Sequence, residues 1–483
     1  MPELASPAAE IARLVRSGQI SARESVQAAL KLARSLNGHL NAFAYLDEEL
    51  ALAGADAVDA TIRSGTDPGP LAGVPFGVKD LDDCQGMPTG RGSLWHSAGP
   101  VASTDSIHVA RLRAAGAVPI GKTTVPEFGS LPYTSNKVTG VTRNPWNPAR
   151  TPGGSSGGSA AVVAAGIVPF ATASDGGGST RTPASFCGLV GHKPSFGRIP
   201  DASGSRYSQT ATPGCLSTTV ADTAMLLDVM AGSSLRDRTA LPAPQAAYTE
   251  VIESLAVSGL RVAWSQDLGF AGVDPEIAAI SWSAAQDLIE AAGLRLVDRK
   301  VELSDVNAVK LQLEAQERWI GLADGLWPQR AAELTPVVRA EFERTQSLSV
   351  REFAAVLARR AEIECYLGQL LADVDVLLTP TTAVPAFPAE GPAPAAVRGI
   401  AGGLLAAVPF AALANLWGTP AISVPAGLTS DELPVGLHII GRHHDDATVL
   451  RLARLLEIAR PWPRHAPLST LTAPMAGSIG QAT

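Results

Sequence analysis

The sequence predicts an α/β fold built around one large sheet, on three observations. Short apolar runs rich in Val, Ile and Leu alternate with longer amphipathic runs along most of the chain. Glycine (46) and proline (36) punctuate the boundaries between them. The 483 residues, 17% charged and 5% aromatic, are ample for a buried core and too apolar for a disordered chain.

The chain opens helical. Ser21-Ala22-Arg23-Glu24 has capping-box spacing, in which serine and glutamate satisfy each other's backbone N–H groups, and Gly38 is the expected stop. An Ala-rich helix follows from Asp47 to Ser64 and breaks at Asp67-Pro68-Gly69-Pro70. Val74 to Val78 reads as a strand closing on Lys79, Thr104 to Ala115 as a helix, and Ala117 to Ile120 as a short strand. A small-residue helix spans Ser156 to Gly166, and a strand spans Ile167 to Ala173. Further strands are expected at Leu260–Trp264, Leu294–Val297, Val374–Leu378, Ala421–Val424 and Val435–Ile440. Amphipathic helices are expected over 274–292, 329–346 and 350–372, and Thr379 to Ala396 is a loop or rim segment. There is no internal repeat. Residues 1–470 read as one domain, with 1–66 helical and 67–470 the α/β core, followed by a tail at 471–483.

Composition excludes several classes. With a formal net charge of −8 there is no basic field to attract nucleic acid or an anionic membrane. Met1 to Gly38 carries charges throughout, so no signal peptide is expected. The long uncharged stretch from Ile400 to Leu428 is broken by Pro409, Asn415, Gly418, Pro420 and Pro425. It predicts a buried helix, a turn and a strand rather than a membrane span. Cys84, Cys187, Cys215 and Cys365 form no CxxC pair, which predicts buried thiols in a reducing compartment, the cytoplasm. No His/Cys/Asp cluster has ligand spacing, so neither metal nor cofactor is expected.

Three glycine-bearing segments compete for the chemistry. Gly116 to Thr123 fits the phosphate-loop string GxxxxGK[ST], but Pro119 has no N–H to offer a phosphate and Val118-Pro119-Ile120 reads as a buried strand. Gly153-Gly154-Ser155-Ser156-Gly157-Gly158-Ser159 fits GxSxG around either Ser155 or Ser156. A nucleophile elbow needs a strand directly before the serine, and the preceding Asn144 to Pro152 is too proline-rich to be one. Glycines there let the backbone aim serine hydroxyls into a site. Asp175-Gly176-Gly177-Gly178-Ser179-Thr180-Arg181 follows an apolar strand, and its bare N–H groups can face a developing oxyanion beside Ser179. A structural turn is the alternative for that segment.

A serine needs a base. Eight histidines are present, among them His192, His438, His443 and His444, and none has a distinctive setting. Lysine is the other candidate, because Ser–Lys pairs replace the histidine triad in some hydrolases. Lys79 closes an apolar strand, where burial would lower its pKa; the alternative is a lysine paired with Asp80 or Asp82.

Together these segments resemble the amidase signature family. The resemblance is carried by Gly73 to Asp80, Arg150 to Ser159, Asp175 to Pro183 and Cys187 to Pro194. Leu377 to Thr381 and Leu433 to Leu437 continue it, so that it runs from about Ala42 to Pro463. It implies the family fold, a large mixed twisted sheet with helices on both faces. It places the family's base lysine at Lys79, its bridging serine on a cis peptide at Ser155, and its nucleophile at Ser179. Backbone N–H groups of Gly176, Gly177, Gly178 and Ser179 would form the oxyanion hole, with Asp175 and Arg181 bracing the loop and Ser156 supporting it. Two departures stand out: Gly176 where threonine is usual, and Thr180 where an aliphatic residue is usual.

The implied reaction is metal-free hydrolysis of a small-molecule carboxylic amide, with aryl amides, esters and carbamates (urethanes) open to the same acyl transfer. No nucleic acid or membrane partner is implied, and a second copy of the chain is the candidate protein partner. The alternative is the glutaminase subunit of a tRNA-dependent amidotransferase, which would bring partner subunits. Pocket walls are expected from Gly129–Val141, Glu314–Trp327 and Ala401–Trp417, with Tyr133, Trp319, Trp327 and Trp417 as aromatic candidates.

Overall fold

The computed structural model describes residues 6–202, 208–304, 306–322 and 325–467; the tail expected from Leu471 lies outside them. Among the described residues, eleven strands join in one sheet. In chain order they are β1 (Phe43–Leu46), β2 (Pro75–Lys79), β3 (Val118–Thr123), β4 (Phe170–Asp175), β5 (Val190–Lys193) and β6 (Thr212–Ser217). They continue with β7 (Arg261–Trp264), β8 (Arg295–Leu296), β9 (Val376–Pro380), β10 (Ala421–Leu428) and β11 (Pro434–Gly441). Across the sheet the order is β1-β3-β2-β4-β6-β5-β10-β11-β9-β7-β8. β2 runs parallel to both β3 and β4, and β7 parallel to both β8 and β9; the other neighbours are antiparallel. The sheet is therefore mixed, and helices flank it, as the alternation of apolar and amphipathic runs predicts.

Local rules account for most boundaries. The capping box at Ser21 and Glu24 forms, with Ser21 N–H on Glu24 Oε2 at 2.8 Å and Glu24 N–H on Ser21 Oγ at 3.0 Å. Gly38 is not the stop. It lies inside the helix Ala22–Leu40, which ends at left-handed Asn41, a residue type that tolerates positive φ. The helix expected over 329–346 is only Pro336–Thr345, with proline in its first turn. Three strands, β1, β5 and β6, are additions to the sequence reading. β1 is a four-residue edge strand held by β3 alone. β5, which reads as a turn around His192, and β6, with Pro213 and Gly214, have weak local strand character. Pairing on both sides makes them strands: β6 lies between β4 and β5, and β5 between β6 and β10.

The parallel pair β2–β4 is the one that positions the candidate site. Phe76 and Phe170 are directly opposite in register, fully buried, and stacked at 5.1 Å with ring planes 9° apart. Each such ring contributes roughly 1.5–3 kcal/mol through burial. The pair thus fixes the register of the two strands, whose adjacent carboxyl ends carry Lys79 and Asp175. Ligand sites of open α/β sheets favour that end. The small-residue helix Gly157–Ala164 packs over both strands.

Candidate active site

Lys79 is fully buried at the end of β2. Its ammonium donates to Ser155 Oγ at 2.9 Å, Ser174 Oγ at 2.9 Å and the Ser174 carbonyl at 3.2 Å. All three acceptors are neutral. Burial pushes the Lys79 pKa down to about 8, against the pull of Asp82 and Asp175. The pairing with Asp80 or Asp82 that strand-end position alone would suggest does not form directly. Instead the Lys79 N–H donates to Thr172 Oγ1 at 2.8 Å, and that hydroxyl donates to Asp82 Oδ2 at 2.9 Å. Once deprotonated, the amine has a lone pair aimed among hydroxyl groups, which is the arrangement a proton acceptor needs.

Ser155 follows a cis peptide bond from Gly154. A Cβ on Gly154 would come within 2.4 Å of the Leu131 carbonyl and 2.7 Å of the Tyr133 nitrogen, so the close approach of these two segments requires glycine. The Ser156 N–H donates to the Ser179 carbonyl at 3.2 Å, which joins the two serine segments side by side; the Ser156 hydroxyl lies 3.5 Å from the Ser174 carbonyl.

The third segment wraps around one carboxylate. Asp175, at the end of β4, accepts the Gly178 N–H at 2.7 Å, the Thr180 N–H at 3.2 Å and the Arg181 N–H at 3.3 Å. The Arg181 guanidinium meets it in a fork, Nε to Oδ2 at 2.9 Å and Nη2 to Oδ1 at 2.8 Å. Asn415 Nδ2 adds bonds to the Asp175 carbonyl at 2.9 Å and to Oδ1 at 3.0 Å. Asp175, Arg181 and Asn415 are all fully buried. Burial opposes the Asp175 charge, but Arg181, Lys193 and the Asn415 amide together hold its carboxyl well below the usual range. Arg181 Nη1 also lies 2.9 Å from His438 Nε2, and burial together with that guanidinium pushes His438 far below the ordinary histidine value.

This network corrects one expectation. The Gly178 N–H is taken by Asp175, so Gly176, Gly177 and Ser179 are the loop residues whose N–H groups have no protein partner among the described residues. Gly178 has a different task. Its φ is +117°, and a Cβ there would stand 2.6 Å from Ala411 Cβ.

Ser179 opens onto a narrow pocket whose walls include Gly129, Leu131, Lys310, Glu314, Leu405 and Val408. The aromatic candidates lie elsewhere. Trp319 donates through Nε1 to Thr345 at 2.7 Å and packs edge-on against Phe342, while Trp327 stacks on Phe342 at 5.4 Å. Both belong to a satellite apolar cluster with Leu326, Leu334 and Val338. Trp417 packs with Leu367 and Leu371 and tilts over His443. Tyr133, one residue beyond the pocket wall, sets its ring edge-on to Phe387 at 6.0 Å. Packing in local apolar clusters claims all four rings. His192 is buried 3.6 Å from Asp446, and burial lowers its pKa to about 4. Lys122 of the phosphate-loop string is buried and donates to the Asp82 carbonyl at 2.6 Å, so that string is a strand and not a phosphate cradle. Sequence reasoning missed Ser174 and Lys310, and reached Glu314 and Asn415 only as members of the expected wall segments Glu314–Trp327 and Ala401–Trp417. Of these only Ser174 had a local signal, being two residues from Thr172 on the same side of β4.

The chain belongs to the amidase family, whose model matches residues 24–450, and it is an amide hydrolase acting on small-molecule amides. An acylamidase of Rhodococcus erythropolis is 34% identical over 479 residues, covering 96% of this chain and 97% of that protein. A glutamyl-tRNA(Gln) amidotransferase subunit of Synechococcus sp. (strain CC9311) is 35% identical, covering 93% of this chain and 96% of that protein. The crystal structure of a bacterial aryl acylamidase of the amidase signature family superposes with a TM-score of 0.89 at 30% identity, covering 95% of this chain and 96% of that one. Among the described residues, no helix is long and apolar enough to cross a membrane.

Proposed function

We propose that this chain cleaves the C–N bond of a carboxylic amide through an acyl-enzyme on Ser179, with Lys79 as the base and Ser155 as the bridge. The observation that carries this reading is the 2.9 Å contact between the Lys79 amine and Ser155, made by a buried lysine whose pKa is lowered to about 8. Neutral Lys79 takes a proton from Ser155 as Ser155 takes one from Ser179. Ser179 Oγ attacks the carbonyl carbon, and the N–H groups of Gly176, Gly177 and Ser179 receive the oxyanion. As the C–N bond breaks, the proton returns through Ser155 to the leaving nitrogen. Water then repeats the cycle on the ester and releases the acid. Asp175 and Arg181 brace the loop and touch no reacting atom. Because similar proteins include an acylamidase and an aryl acylamidase, anilides are the substrates we put first.

The test is trapping. With a slow substrate, the acyl mass should appear on the peptide containing Ser179 and vanish in Ser179→Ala; an adduct on Ser155 or Ser156 contradicts the assignment. The amidotransferase subunits among the relatives favour a second reading, that of a glutaminase component. Hydrolysis of glutamine at a rate exceeding that of any anilide would select it.

A further inference from the structure

Helix Asn307–Leu322 lays a charged pair directly over the glycine loop. Lys310 is 1% exposed and forms an ion pair with Glu314, one turn further along. Its ammonium meets that one carboxylate and has no other hydrogen-bond partner among the described residues. A Cβ built on Gly177 would stand 3.2 Å from Lys310 Cε and 3.6 Å from Nζ, and one on Gly176 would stand 3.7 Å from Glu314 Oε1. Both side chains line the pocket that Ser179 opens onto. The other two charges of the helix do not line that pocket, although Glu317 also draws on Lys310 electrostatically. Arg318 pairs with buried Glu341, and Glu317 accepts the Ser208 hydroxyl at 2.8 Å. Lys310 and Glu314 are thus the charges presented to whatever occupies the space beside Gly176 and Gly177.

We infer that Lys310 and Glu314 set the charge specificity of this site: the pair admits uncharged acyl groups, and Glu314, by neutralising Lys310, excludes anionic ones. The inference rests on the assignment of Ser179 as nucleophile. A carboxylate on the acyl chain would enter next to Glu314, in a pocket where little water screens the repulsion. The same carboxylate would be attracted by Lys310 if Glu314 were uncharged. The pair therefore acts as a lock, with a buried cation held by a more exposed anion. Removing only the anion should invert the preference, whereas removing both should flatten it.

The experiment uses two isosteric activated esters that cannot cyclise, the 4-nitrophenyl esters of fumaramic acid (neutral) and of fumaric acid (one free carboxylate), whose trans double bond holds the carboxylate and the amide away from the ester carbonyl. Nitrophenolate release is followed for wild type, Glu314→Gln and Lys310→Met/Glu314→Gln. Wild type should favour the neutral ester by at least tenfold in kcat/KM. Glu314→Gln should shift the ratio at least tenfold toward the anionic ester, chiefly through KM, and the double variant should lose that shift. Wild type that handles both esters equally, or prefers the anionic one, overturns the inference whether or not the variants fold. So does an unchanged ratio in Glu314→Gln. Release above the enzyme-free rate that persists in Ser179→Ala, or none above that rate from either ester in wild type, removes the Ser179 assignment and this inference with it.

Discussion

Lys79 and Asp175 end adjacent parallel strands, and both are buried, yet they are held in opposite electrostatic regimes. Lys79 is surrounded by neutral hydroxyl and carbonyl oxygens, and burial weakens its charge until the pKa reaches about 8. Asp175 faces a bidentate guanidinium, three backbone N–H groups and an amide, and its charge is held firmly. Burial penalises both charges; the partners decide which one survives. A base must be able to give up its charge, whereas a brace must keep it. The two ends of the site meet these opposite needs 96 residues apart in sequence (175 − 79) and on neighbouring strands.

Breaking the brace should have the largest effect. Arg181→Met leaves Asp175 as a buried charge without its ion partner, so stability should fall by about 3–5 kcal/mol, read by urea unfolding, and activity should be lost with it. A variant that unfolds like wild type would show that the remaining partners, the backbone N–H groups with Asn415 and Lys193, carry Asp175.

The same operation on the base should go the other way. The sign follows from proton counts. Between about pH 8 and 10.5 the unfolded chain holds a proton on Lys79 that the folded chain has released, so stability rises with pH across that window. Below it, the folded state carries the whole penalty. Lys79→Met should therefore stabilise the fold at pH 7 by about 1–3 kcal/mol, since each pKa unit corresponds to roughly 1.4 kcal/mol and lost hydrogen bonds offset part of it. The gain should shrink above pH 8. Turnover should drop by about 10² or more. Loss of stability in Lys79→Met at pH 7 would mean that its hydrogen bonds outweigh its desolvation.

Within the loop, two glycines sharpen the contrast. Gly178→Ala meets a positive φ and a 2.6 Å clash with Ala411, so it should cost about 1–3 kcal/mol and most of the activity. Gly176→Ala places a Cβ at ordinary contact distances, 3.6 Å from Ala211 Cβ and 3.7 Å from Glu314 Oε1. Its effect should be the smallest, within about 0.5 kcal/mol and with kcat retained within about threefold. Equal damage from the two substitutions would remove the distinction between a loop residue that shapes the turn and one that lends its N–H.

What the sequence made legible was local. Lys79, Ser155 and Ser179 stand out because each sits at a strand end or in a glycine string whose backbone requirements are written in neighbouring residues. Asn415 does not, because its partner Asp175 is 240 residues away and nothing in Ala412–Trp417 marks an amide that will complete a buried carboxylate. The tryptophans failed for a related reason. Trp319 and Trp327 carry the same composition signal whether they line a pocket or pack on Phe342, and only the tertiary fold chooses. Lys310 and Glu314 have the ordinary i, i+4 spacing of a solvated helix face. Their burial over the glycine loop comes from where the helix docks. The role of Gly178 was half legible. Its place in the loop was clear, but Asp175 had already claimed its N–H.

The pH dependence of kcat/KM for anilide hydrolysis tests the central claim most directly, because it reports the ionisation of the free enzyme's base. If Lys79 relays through Ser155 to Ser179, activity should rise through a single ionisation near pH 8 and level off above it, and Lys79→Met should lose both the limb and the activity. Full activity already at pH 5, just above the value near 4 to which burial drives His192, or an intact alkaline limb in Lys79→Met, would contradict the account.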